Sequence, residues 1–207
     1  MQTVTAGRLL RANTRGCVVG CPVRQSLPDF GSMVHIPINN GRIFGLIYDM
    51  HIDDDGLVRQ LATTENISDE VIMDNRLNRN TPVEISIVFI GYETGKKVVH
   101  RLPPSPPLSL DTMFICSEEE VQRFSKSGRF GYLRYLLTNP DIPSADLIAA
   151  HILSVYRAQN KPMKAVWKRT AIDMIIDRLR DNHDLLNQTL LAVSDAFASE
   201  QPKPEDD

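Results

Sequence analysis

The sequence predicts an α+β protein in which a small N-terminal β-barrel precedes a C-terminal helical bundle. Up to residue 116, short apolar stretches typical of strands alternate with turns that contain glycine or asparagine. From residue 117 onward, apolar residues recur at the three- and four-residue spacing of helices that bury one face. Regularly spaced short strands favour a closed or nearly closed barrel. We therefore predict a barrel at 1–116, a helical domain at 117–200 and a disordered tail at 201–207.

The predicted barrel begins with four strands, at residues 3–11, 17–23, 32–39 and 42–52. The sequence Asn39-Asn40-Gly41 marks the turn between the third and the fourth strand, because asparagine and glycine tolerate the backbone angles of tight turns. Residues 57–80 are polar and weakly patterned, and we predict a long excursion with one short helix around 69–75. A last short strand is predicted at 113–116.

Residues 91–100, GYETGKKVVH, superficially resemble a phosphate-binding loop. Such a loop needs four residues between its glycines and a hydroxyl side chain after the lysine. Here three residues separate Gly91 from Gly95, and Lys97 stands where the hydroxyl is required. The β-branched residues that follow do not favour the helix that should come next. We predict a β-hairpin over 83–102 that turns near Gly95, and not a nucleotide site.

The helical half opens with Ser117 and Glu120, whose spacing predicts a capping box at the start of a helix. Further helices are predicted from Ser144, over 163–179 and over 185–197. His151 lies on the apolar face of the helix after Ser144, where a hydrogen-bonded core histidine is expected.

Composition argues against several classes of function. The net charge of −3 and the pI near 6.0 give no general signature of nucleic-acid or membrane binding. No apolar run is long enough to span a bilayer and no signal peptide is evident, so we expect a soluble cytoplasmic protein. The spacing of Cys17 and Cys21 does not fit a zinc site, and with Cys116 they are expected to be reduced thiols. We predict no cofactor, no metal and no catalytic residue.

Several short motifs within residues 3–135 resemble the HAS-barrel, the N-terminal barrel of HerA-type DNA-translocating ATPases. The motifs are GRLL at 7–10, GSMVHI at 31–36 with IFGLI at 43–47, and the proline-rich RLPPSPP at 101–107 followed by FICSEE at 114–119. In the ATPases this barrel leads into a phosphate-binding loop. The comparable stretch here, 151–161, lacks every glycine of that loop, and too few residues follow it for a RecA-like fold.

The resemblance therefore implies a barrel without its motor. It suggests a non-enzymatic assembly module, an accessory of a ring ATPase in DNA processing, that forms a homo-oligomer. In the ATPases the barrels pack side by side, and this implies an interface that includes the strand at 43–48 and the proline-rich flank. The candidate interface residues are Ile43, Phe44, Leu102, Pro103 and Pro104.

A second hypothesis is a single-stranded nucleic-acid-binding protein. Segments 123–135 and 157–169 interleave basic and aromatic residues, as proteins that stack unpaired bases do. The candidate contacts are Arg123, Lys126, Arg129, Phe130, Tyr132, Arg134, Lys164, Trp167, Lys168 and Arg169. An RNA-recognition motif is not indicated, because helices surround the first segment where that fold needs a central strand. An enzyme of unrecognised type is the third hypothesis.

Overall fold

The structure is a computed structural model, which describes residues 5–22, 27–52, 56–78, 82–95, 97–127, 130–137 and 139–200. The predicted tail at 201–207 lies outside the described residues. The strands are β1 Thr5–Ala12, β2 Gly16–Cys21, β3 Met33–Ile38, β4 Gly41–Ile52, β5 Val83–Thr94, β6 Lys97–Val99 and β7 Thr112–Ile115. The helices are α1 Leu57–Thr63, α2 Asp69–Asn78, α3 Glu118–Lys126, α4 Leu133–Leu137, α5 Ser144–Ala158, α6 Lys161–Leu179 and α7 His183–Ala198.

Six antiparallel strands form a closed barrel. The strand order is β2-β1-β7-β3-β4-β5-β6, and an additional pairing between β2 and β5 closes the sheet on itself. β6 stays outside the closed ring and pairs only with β5, as the second strand of a hairpin. The predicted α+β class, with an N-terminal barrel followed by helices, is confirmed.

Two glycines allow the tight connections of the barrel. At Gly41, the last residue of the predicted turn and the first residue of β4, an added Cβ atom would lie 1.7 Å from the carbonyl oxygen of Glu93, so no side chain fits. Gly95 has a φ of 61° in the turn between β5 and β6, a conformation that glycine adopts without steric cost. The predicted β-hairpin is therefore confirmed, although Lys96 lies outside the described residues.

Apolar side chains line the interior of the barrel. Strand β4 shows the alternation: Ile43 and Ile47 point inward, whereas Phe44 and Leu46 point outward. Cys17 and Cys21 are buried in the same interior as free thiols. The other buried interior residues are Ala6, Leu9, Val19, Val34, Ile36, Val83, Ile85, Ile87, Phe89 and Met113.

The helices cover the outer face of β3, β4 and β5. Phe44, Leu46 and Ile90 point away from the barrel interior and share one core with residues of the helical half, including Phe124 and Leu147. These strands are consequently buried on both faces, which explains why β5 reads as a nearly continuous apolar run. The barrel and the helices are thus held together by a common hydrophobic core.

The excursion between β4 and β5 contains two helices, α1 and α2, where the sequence predicted one. α2 also extends further than the predicted 69–75. The described side chains of both helices are mostly exposed, and Val71 and Met73 are among the exposed apolar ones. Because the described side chains of neither helix form a broad buried face, their pattern carries little of the periodicity by which helices are predicted. None of the helices in the described part of the chain combines the length and the apolar character that crossing a lipid bilayer requires.

Candidate functional site

Exposed leucines lie in and beside β1. Leu108 is 73% exposed and Leu110 is 67% exposed, in the segment that leads into β7. Leu10 of β1 is also exposed. The Leu110 N–H donates to the carbonyl oxygen of Leu9 at 2.8 Å, which places Leu110 beside the Leu9–Leu10 step of β1. We call Leu108 and Leu110, which lie beside β1, the leucine edge.

Hydrogen bonds hold this segment in one conformation. The N–H of Leu9 donates to the carbonyl oxygen of Asp111 at 2.9 Å, and the N–H of Leu108 donates to Asp111 Oδ2 at 2.8 Å. Arg8 Nη1 donates to the carbonyl oxygen of Leu110 at 3.2 Å. Leu110 itself has a φ of 70°, in the left-handed region that costs a leucine about 1–2 kcal/mol. Hydrogen bonds therefore fix the segment that carries Leu108 and Leu110, and the backbone of Leu110 within it is strained.

The predicted interface is only partly accessible. Ile43 lies in the barrel interior and Phe44 in the core shared with the helices, and both are fully buried. The prediction is wrong for these two residues, because β4 is covered on both of its faces. In the proline-rich flank, Pro103 is buried, Leu102 is half-buried and Pro104 is exposed.

The aromatic residues of the nucleic-acid hypothesis belong to the core. Phe130, Tyr132 and Trp167 are all buried, and the Phe130 ring lies 6.1 Å from Tyr132 and 5.7 Å from Trp167 between centroids. Rings packed on one another in this way leave no face on which a base can stack. The prediction that these three residues form a stacking platform is wrong.

The basic residues of that hypothesis are spread over α3, α4 and α6. Arg123 pairs with Glu93, and the Arg134 guanidinium lies 4.7 Å from the centre of the Tyr135 ring. Lys164 and Lys168 are half-buried and lie over the rings of Tyr156 and Phe197, at 5.0 Å and 3.9 Å, respectively. Lys126 and Arg169 are exposed, and Arg129 lies outside the described residues.

A group of charged side chains lies where the barrel meets α3. The buried carboxylate of Glu93 accepts hydrogen bonds from Arg42 Nε at 2.7 Å and from Arg123 Nη2 at 3.0 Å. Arg42 also pairs with Glu120. Two arginines and two glutamates thus balance each other's charge, and this compensates for their removal from water.

Glu120 also completes the predicted capping box of α3, which is confirmed. Its backbone N–H donates to Ser117 Oγ at 3.3 Å, and its Oε2 accepts from the Ser117 N–H at 2.8 Å. Burial alone would raise the pKa of Glu120, but the Ser117 hydrogen bond, the protonated form of His35 and the charge of Arg42 lower it, and the net shift of the pKa is downward.

His35 and Cys116 lie against Glu120. His35 Nδ1 is 3.8 Å from Glu120 Oε2 and 3.7 Å from Cys116 Sγ. Burial lowers the pKa of His35, and burial raises the pKa of the Cys116 thiol well above its usual value. At neutral pH the two groups are therefore an uncharged imidazole and a thiol. The sequence does not predict this contact, because the three residues come from β3, from the position after β7 and from α3.

His151 is a hydrogen-bonded core residue, as predicted. Its Nε2 lies 2.8 Å from the hydroxyl oxygen of Tyr132, and both side chains are fully enclosed. Within the described parts of the chain, His151 Nδ1 is buried with no hydrogen-bond partner. Burial lowers the pKa of His151 to about 4 and raises the pKa of Tyr132. His151 is therefore neutral at physiological pH.

No protein-family model matches the chain, and no curated protein matches it significantly.

Proposed function

We propose that this chain is a non-enzymatic interaction module that assembles with copies of itself through the leucine edge. The observation that carries the proposal is the conformation of Leu110. Its left-handed backbone is unfavourable by about 1–2 kcal/mol, and in a single chain this cost is not offset by burial of the side chain. Strained conformations persist where the surrounding structure enforces them, and they concentrate at functional sites.

The chemistry of the edge suits a second copy of the same chain. Burying a leucine side chain contributes about 1.5–3 kcal/mol, so pairing two edges would bring several such contributions. Arg8 and Asp111 flank the leucines and carry opposite charges. Two copies related by a twofold axis could therefore meet without repulsion between like charges. In a closed dimer or ring, every copy has its interface paired with a neighbour.

The resemblance to the HAS-barrel suggests a biological setting for this interaction module. A barrel of this kind would act as an accessory of a ring ATPase in DNA processing. The support for this extension is the closed barrel itself together with the altered 151–161 segment, which lies within α5 and the start of α6 and contains no glycine.

Multi-angle light scattering on two matched variants tests the role of the leucine edge. Leu108→Glu places a charge within the edge and should shift the protein toward the monomer. Leu191→Glu changes an equally exposed leucine of α7, 66% against 73%, and should leave the mass unchanged. If both variants keep the wild-type oligomeric mass, assembly does not use the leucine edge.

A further inference from the structure

Three side chains with metal-binding donor atoms converge beside the barrel. They are His35 of β3, Cys116 just after β7 and Glu120 of α3, and their donor atoms all lie within 4.8 Å of one another. This convergence is independent of the leucine edge. It also differs in kind from a cluster of surface acids, because it combines imidazole, thiol and carboxylate in a largely buried place.

The separations are close to those of a tetrahedral zinc site. Zinc binds nitrogen at about 2.0–2.1 Å and sulfur at about 2.3 Å, which places the ligand atoms of a tetrahedral site roughly 3.4–3.6 Å apart. His35 Nδ1 lies 3.7 Å from Cys116 Sγ and 3.8 Å from Glu120 Oε2. Shifts of less than about 1.5 Å would therefore bring all three donors onto one ion.

Neighbouring groups already orient the donors. The His35 ring stacks on Phe114, with 5.5 Å between centroids and 25° between planes. Glu120 is held by the Ser117 N–H and by Arg42, and a carboxylate oxygen has a second lone pair with which it can bind a metal while accepting that hydrogen bond. Such supporting contacts fix ligand orientation in metal sites.

We propose that His35, Cys116 and Glu120 bind one divalent transition-metal ion of the zinc class. His35 would bind through Nδ1, Glu120 through Oε2 and Cys116 as the thiolate. The Glu120 side chain is 19% exposed, so the site has access to solvent and a water molecule can supply the fourth ligand. Magnesium and calcium are excluded by the donors, because those ions prefer oxygen ligands throughout.

Binding requires the Cys116 thiol to lose its proton. The S–H bond breaks, the sulfur lone pair forms the bond to the metal, and the proton passes to solvent. One proton is therefore released for each ion bound. The bound ion would link β3 and the end of β7 to α3, and so would join the barrel to the helical half at their junction.

Cobalt(II) is the direct probe, because cobalt bonded to thiolate has a charge-transfer absorption that cobalt bound to nitrogen and oxygen lacks. We expect the full chain to bind one cobalt ion with this absorption, and zinc to displace it. Zinc added to the apoprotein in weak buffer with a pH indicator should release about one proton for each ion bound.

Variants assign the ligands. Cys116→Ser should abolish the thiolate absorption, and His35→Gln should weaken cobalt binding at least tenfold. Glu120→Gln should also weaken binding, while it keeps the capping box, which accepts glutamine. Cys21→Ser, which removes a thiol of the barrel interior, is the matched control and should bind as the wild type does. The proposal is overturned if the wild-type chain gives no thiolate absorption with cobalt, or if Cys116→Ser retains this absorption. If a variant fails to fold, the cobalt spectrum of the wild-type chain still tests the proposal.

Discussion

Lowering the pH should destabilise the protein through His151. In the folded chain the pKa of this buried imidazole is lowered to about 4, whereas in the unfolded chain it has the ordinary value of about 6.5. Between these values the unfolded state binds a proton that the folded state excludes. Stability from this group is therefore fully present above pH 6.5 and is lost progressively as the pH falls toward 4.

The size of the effect follows from the two pKa values. Each unit of difference corresponds to about 1.4 kcal/mol, so the complete transition is worth about 3 kcal/mol. Between about pH 7 and about pH 5, the linkage relation gives a loss of about 1.8 kcal/mol from His151 alone. With a urea dependence of about 2 kcal/mol per molar, the unfolding midpoint should fall by roughly 1 M.

Urea unfolding at the two pH values, on the wild type and on His151→Gln, is the assay. Glutamine can still hydrogen-bond the Tyr132 hydroxyl but does not titrate. The comparison is needed because the pKa of His35 is also lowered by burial and contributes in the same direction. The His100 ring lies on the same tyrosine, with 5.0 Å between its centroid and that of Tyr132. If the variant loses as much stability as the wild type, burial of a neutral His151 is not the cause.

Three further outcomes follow from the packing. Leu110→Gly should raise the free energy of unfolding, measured by urea titration, by roughly 0.5–1 kcal/mol, because relief of the left-handed strain exceeds the added entropy of glycine in the unfolded chain. An unchanged or lower free energy of unfolding would refute the claim that Leu110 is strained. Phe44→Ala should lower the free energy of unfolding by about 3–5 kcal/mol and destabilise the barrel and the helices together. Circular dichroism of the helices and a spectroscopic probe in the barrel should therefore report one unfolding transition. Two separate transitions would contradict a hydrophobic core shared by the two halves. Single-stranded DNA should not quench the fluorescence of Trp167, the only tryptophan, and salt-sensitive quenching would restore the nucleic-acid hypothesis.

Features that depend on neighbouring residues were predicted well from the sequence. The hairpin at Gly95 follows from the turn preference of glycine, and the capping box follows from the three-residue spacing of Ser117 and Glu120. Each of these needs only a few adjacent residues to form. The apolar position of His151 within its helix likewise indicated a core residue, and its hydrogen bond to Tyr132 agrees with that prediction.

Features that depend on which face is covered were not predictable in the same way. Ile43 and Phe44 point to opposite sides of β4, yet both are buried, so alternation could not distinguish an inner from an outer face. Phe130 and Tyr132 lie among basic residues in the sequence. This sequence pattern is the same whether the two rings point to solvent or to the core, so it could not predict their burial. The contact of Cys116 with His35 joins positions far apart in the sequence and exists only because β7 pairs with β3.

The most direct test of self-assembly is the mass of the wild-type chain in solution. Sedimentation velocity over a concentration series that reaches tens of micromolar should show a species heavier than the monomer of 23.3 kDa, with a population that grows with concentration and is reduced by Leu108→Glu. A single species of monomer mass throughout the series would contradict the proposal that the leucine edge joins copies of this chain.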